Sequence, residues 1–73
     1  MTVLEAITQI CEEKKRNNIV PVCAPMAEIR NRTKLPAGEV CCQTDKLVFD
    51  GVVERRLAVN GFTFYLKENI LTN

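Results

Sequence analysis

Apolar residues near the start of the chain recur at helical spacing. Val3, Leu4, Ile7, Ile10 and Cys11 fall on one face of a 3.6-residue period. Thr2 stands ahead of this run with Glu5 three residues on, the signature of a capping box. Glu12 precedes Arg16 by four, and Lys14, Lys15 and Arg16 complement the negative end of a helix dipole. Asn17-Asn18 predicts the stop. In Ile19-Val20-Pro21-Val22 the β-branched residues and the proline favour extended backbone. Pro21 cannot donate to a ladder, so the expectation is a short edge strand.

Pro25 suits the first turn of a second helix, with Met26 and Ile29 on its inner face and an end near Arg32 or Thr33. Leu35 is a lone apolar anchor in the connection. Pro36 opens a third helix over about 36–50, in which Ala37, Val40, Cys41, Thr44, Leu47 and Val48 form the inward stripe. Glu39, Cys42, Gln43, Lys46 and Asp50 fall away from it. Gly51 is placed to end this helix in the left-handed conformation, with Val52 packing back on Leu47. Asn60-Gly61 between β-prone runs predicts a hairpin with a two-residue turn. In that register Val59 faces Phe62, Leu57 faces Phe64 and Arg55 faces Leu66. This greasy face packs on the helices, while Glu54, Arg56, Ala58, Thr63, Tyr65 and Lys67 face water. The last six residues, 68–73, give no clear signal; Ile70 and Leu71 either dock or fray.

Composition narrows the function classes. The chain has 73 residues, enough for one domain over 1–73. Its net charge is +1, so no general basic character argues for nucleic acid. Residues 1–18 and 19–50 each balance to zero, and the excess lies in 51–73. The opening residues lack a basic stretch before an apolar run, and no segment approaches a membrane span, so the expectation is a cytoplasmic protein with no membrane partner. Cys11, Cys23, Cys41 and Cys42 then read as reduced, mostly buried small hydrophobes. Cys42 is expected to be more exposed than Cys41. The chain lacks C-x-x-C spacing, histidine and serine. Redox-enzyme motifs, Cys/His zinc sites and serine nucleophiles are therefore excluded, and no catalytic residue, cofactor or metal ligand is assigned.

The predicted order is helix, short strand, helix, turn, helix, hairpin. With the segments Thr33–Cys42 and Leu47–Arg56, and with Leu47, Gly51, Val52, Val53 and Arg55 at the helix end and wing start, the chain resembles the winged helix-turn-helix superfamily of small bacterial regulators. The resemblance runs from Thr2 to Lys67. It implies an α+β fold of three helices, a short edge strand and a C-terminal wing. It also implies binding of double-stranded DNA, in transcription or recombination, with the third helix in the major groove. Carried over by position, the base-facing residues are Ala37, Glu39, Cys42, Gln43 and Lys46. The phosphate contacts are Arg30, Arg32, Lys34, Arg56 and Lys67. The near-neutral charge and the acids Glu39, Asp45 and Asp50 keep a second reading open: a protein-interaction or homodimerisation module on the same scaffold.

Overall fold

The computed structural model describes residues 1–67. It forms a small α+β domain in the order α1 (Val3–Arg16), β1 (Ala24–Pro25), α2 (Met26–Thr33), α3 (Ala37–Phe49), β2 (Val53–Ala58) and β3 (Gly61–Leu66). The strands make one antiparallel sheet in the order β1-β3-β2, so the strand between the first two helices pairs with the last strand among the described residues. The tail 68–73, and with it the fate of Ile70 and Leu71, lies outside the described residues.

Each helix end has a local cause. The capping box on α1 is present in both directions: Thr2 N–H donates to Glu5 Oε1 at 2.8 Å and Glu5 N–H donates to Thr2 Oγ1 at 3.1 Å. At its other end Asn18 takes a left-handed φ of 56°, Asn18 N–H donates to the Lys15 carbonyl and Ile19 N–H to the Lys14 carbonyl. The same double bond closes α3. Gly51, at φ 76°, donates to the Val48 carbonyl and Val52 donates to the Leu47 carbonyl, satisfying two carbonyls the helix leaves unpaired. The glycine stop expected from the sequence is in place.

The core is made by α1 and what lies against it. Val3, Ala6, Ile7, Ile10 and Cys11 of α1 meet Ala24, Ile29, Val40, Val53, Phe64 and Leu66 in one cluster, with Val22, Met26, Leu35, Leu47 and Val48 at its margin. Burial of this apolar surface supplies the main favourable free energy of a chain this short. Thr44 is the buried polar residue among those described, and its hydroxyl donates to the Cys41 carbonyl at 3.0 Å. Lys14 fastens α1 to its neighbours, donating to the Cys23 carbonyl at 2.7 Å and to Glu28 on α2 at 3.2 Å.

Four sequence expectations are corrected. The edge strand is Ala24–Pro25 rather than 19–22: Ile19, Val20 and Pro21 are exposed and make no ladder, whereas Ala24 is fully buried opposite Phe64. A small side chain that fits the core decides the pairing over intrinsic β preference. The hairpin register is Ala58↔Gly61, Leu57↔Phe62, Arg55↔Phe64 and Val53↔Leu66, with Val59 and Asn60 in the turn. A mirror-image turn on Asn60-Gly61 needs positive φ at both, but in this turn only Gly61 has it, at 119°. The observed register brings Val53 under the core beside Leu66. Pairing moves by an even number of residues, so each side chain keeps its expected face. That face is covered only at its base. Val53, Phe64 and Leu66 are buried, but Leu57 is 77% exposed and Val59 fully so. Finally, Ala37 and Cys41 of the expected inward stripe of α3 are exposed; the buried stripe is Val40 and Thr44, flanked by the half-buried Leu47 and Val48.

Candidate functional site

The packed stripe of α3 fixes what the helix shows to solvent. With Val40 and Thr44 turned inward, residues about half a turn away point outward, and these are Gly38, Cys42, Asp45 and Phe49. Phe49 is 91% exposed. On the flank toward the hairpin, Asp45 Oδ1 accepts from Arg55 Nη1 at 2.6 Å, which ties α3 to β2. The Arg55 guanidinium also lies 5.0 Å from the centre of the Phe62 ring. On the flank toward α1, the Gln43 carboxamide is engaged at both ends: Oε1 accepts from Val3 N–H at 3.4 Å and Nε2 donates to Glu39 at 2.8 Å. Lys46 is exposed beside it, at a shallow groove of about 310 Å³ shared with Leu4, Gln43, Leu47 and Asp50.

Of the base-facing candidates, Ala37, Glu39, Cys42 and Lys46 are exposed and Gln43 is half-buried. The structure brings Glu39, Gln43 and Lys46 onto the α1 flank and sets Cys42 apart in the middle of the outward face. The phosphate candidates divide by whether a carboxylate holds them. Arg32 is held by Glu13 in a two-pronged pair at 2.6 and 2.8 Å, and Arg56 pairs with Glu54 at 2.6 Å while stacking 4.8 Å from the Tyr65 ring. Arg56 and Tyr65 are diagonal neighbours across the β2–β3 ladder. Arg30, Lys34 and Lys67 form no ion pair among the described residues. Arg30 and Lys34 come together: with Ala27, Asn31 and Leu35 they border an open recess of about 400 Å³ beside the α2–α3 turn. Lys34 is fixed there as the C-cap of α2, with φ 60° and its N–H on the Arg30 carbonyl at 2.9 Å.

The recess is lined by α2 and the turn after it, and α3 begins two residues beyond Leu35. Pro36 is the N-cap and supplies no side-chain hydrogen bond, so the first-turn N–H groups of α3 have no side-chain cap. Gly38 lies in this turn, and a Cβ built on it would meet nothing within 4 Å. Packing does not require a glycine there.

Sequence reasoning missed the Asp45–Arg55 tie between α3 and the hairpin, and Phe49, Leu57 and Val59, which are apolar and exposed. A signal for Phe49 was present, since it lies opposite Val40 and Thr44 on a helical wheel. Nothing in the spacing indicates the Asp45–Arg55 contact. Among the described residues no helix is long and apolar enough to cross a membrane, and no cluster of three metal-ligating side chains occurs. No family model, curated protein or solved structure matches the chain.

Proposed function

We propose that the chain is a winged helix-turn-helix module that docks on double-stranded DNA, with α2 and α3 as the helix-turn-helix and the β2–β3 hairpin as the wing. The observation that carries this reading is the arrangement of elements. A strand between α1 and α2 pairs with β3, the sheet order is β1-β3-β2, and α3 runs along the outside with the hairpin fastened at its flank. In this reading the N-terminal half of α3 enters the major groove, where Ala37, Glu39, Cys42, Gln43 and Lys46 are the base-facing set. Arg30 and Lys34 hold one phosphate strand at the recess, next to the uncapped start of α3, whose dipole favours an anion. Lys67 and Arg56 serve the wing side, and Arg32 and Arg56 exchange their carboxylate partners for phosphate. Gly38 leaves room for the sugar–phosphate backbone to approach.

The test is anisotropy of a labelled duplex titrated with protein at low and moderate salt. Binding that weakens as salt rises is expected. The slope of log affinity against log salt should shrink by about 0.9 for each of Arg30→Ala and Lys34→Ala. A slope unchanged in both variants removes the recess from the interface.

A second reading is favoured by one observation. Phe49, Leu57 and Val59 are 91%, 77% and 101% exposed, apolar side chains that a protein partner would cover and a phosphate backbone would not. On that reading Phe49→Ser abolishes partner binding or self-association, and the recess variants do not.

A further inference from the structure

The four cysteines divide into two classes that the fold keeps apart. Cys11 is fully buried in the face of α1 and Cys23 is 5% exposed, both small apolar fillers of the interior. Burial pushes the Cys11 thiol above its ordinary range. Cys41 and Cys42 are free and exposed, adjacent on α3, and Cys42 occupies the middle of its outward face. Neither contributes to the core cluster, so hydrophobic burial does not account for cysteine at either position.

We propose that Cys41 and Cys42 form a thiol-exchange site for low-molecular-weight disulfides of the glutathione class, and that its occupation closes the outward face of α3. The site itself rests on exposure and placement; only its consequence for duplex docking rests on the function proposed above. In the exchange, the Cys42 thiolate attacks one sulfur of the disulfide RSSR. The S–S bond of RSSR breaks as the Sγ–S bond forms, and RS⁻ leaves and takes up the proton that Cys42 released. The sum is Cys42-SH + RSSR → Cys42-S-SR + RSH, with the small disulfide as the only oxidant. Cys41 reacts in the same way.

Helix geometry dictates what the pair does next. Successive residues of an α-helix diverge by about 100°, whereas a disulfide needs its two Cβ atoms about 3.5–4.5 Å apart with the side chains converging. While α3 stays helical, Cys41 cannot resolve the mixed disulfide on Cys42 into a ring. The folded chain therefore takes up two adducts and forms no internal bond. An adduct on Cys42 stands between Glu39 and Lys46, one turn to either side, and adds bulk where a docked duplex would lie.

The experiment is incubation of the folded, reduced protein with oxidised glutathione, followed by intact mass and peptide mapping. Two adducts on Cys41 and Cys42, with Cys11 and Cys23 free and both adducts removed by dithiothreitol, are expected. The double variant Cys41→Ser/Cys42→Ser, checked by circular dichroism to be folded, should take up none. No adduct, adducts on Cys11 or Cys23 in the folded protein, or loss of two hydrogens without an adduct would overturn the site. Duplex titration of the same samples reads the consequence: affinity falls by roughly tenfold or more on modification and returns with dithiothreitol. Equal affinity before and after modification overturns the closing of the face. Failure of the reduced protein to bind DNA overturns the function proposed above and leaves the mass result to decide the site.

Discussion

Asp45 on α3 and Arg55 on β2 meet at 2.6 Å, and the same guanidinium covers the Phe62 ring of β3 at 5.0 Å. One side chain thus links the helix to both strands of the hairpin. Both partners are substantially solvated, and pairs of this kind contribute about 0.2–1 kcal/mol. Asp45→Asn should therefore lower unfolding stability by less than about 1 kcal/mol. Its larger effect should be on the hairpin: faster amide exchange at the distal positions 55–63, with the protection of α1 unchanged. Equal exchange in both proteins would mean that the ion pair does not hold the hairpin.

Buried and exposed aromatics should behave oppositely. Phe64 is fully buried opposite Ala24 and Arg55, and Phe64→Ala should cost about 3–5 kcal/mol, enough to unfold much of a domain this small. Phe49 is 91% exposed, and Phe49→Ser should leave the urea midpoint nearly unchanged. A large loss for Phe49→Ser would place that ring in an intramolecular contact.

Two glycines on or next to α3 should also part. Gly38 has open space around the position of a Cβ, so Gly38→Ala should stabilise the helix by up to about 1 kcal/mol. Gly51 has φ 76°, and Gly51→Ala should destabilise despite equally open surroundings, because the left-handed backbone strains an alanine. Thermal melts of the two variants give the signs. If Gly38→Ala also weakens duplex binding, the open first turn of α3 is there for a ligand.

Acid should loosen α1 at both ends. The Glu5 carboxyl is held below the usual glutamate value by the Thr2 backbone N–H and then by its hydroxyl, and Glu13 is held below it by Arg32. In the unfolded chain both return to the ordinary value. The unfolded state therefore binds the protons more readily, and stability from these groups is full above the ordinary carboxylate range and lost as pH falls through the lowered folded values. The double variant Glu5→Gln/Glu13→Gln should show a shallower acid decline of helical signal than the natural chain. Parallel declines would assign the acid sensitivity to other carboxylates.

The helices were legible because their signals are local. Thr2 with Glu5, Asn18 and Gly51 act within a few residues of themselves, and the apolar spacing of α1 states its inner face directly. The strands were less so. Whether Val20 or Ala24 joins the sheet depends on which side chain fits against Phe64, a partner forty residues away in the chain. The hairpin was recognised from Asn60-Gly61, but its register was set by burial of Val53 against Leu66 at the far end. For the candidate site, the sequence marked which residues carry charge. It could not mark that Glu13 and Glu54 would take up Arg32 and Arg56, leaving Arg30 and Lys34 together.

The central claim is that α3 and the wing dock on duplex DNA, and the most direct measurement is amide chemical-shift mapping of the reduced, isotope-labelled protein during titration with a duplex. The account predicts salt-sensitive shifts concentrated at 30–46, through Arg30, Lys34 and the first turns of α3, with a second group on the wing near Arg56. Absence of shifts at low salt, or shifts confined to α1, would contradict it.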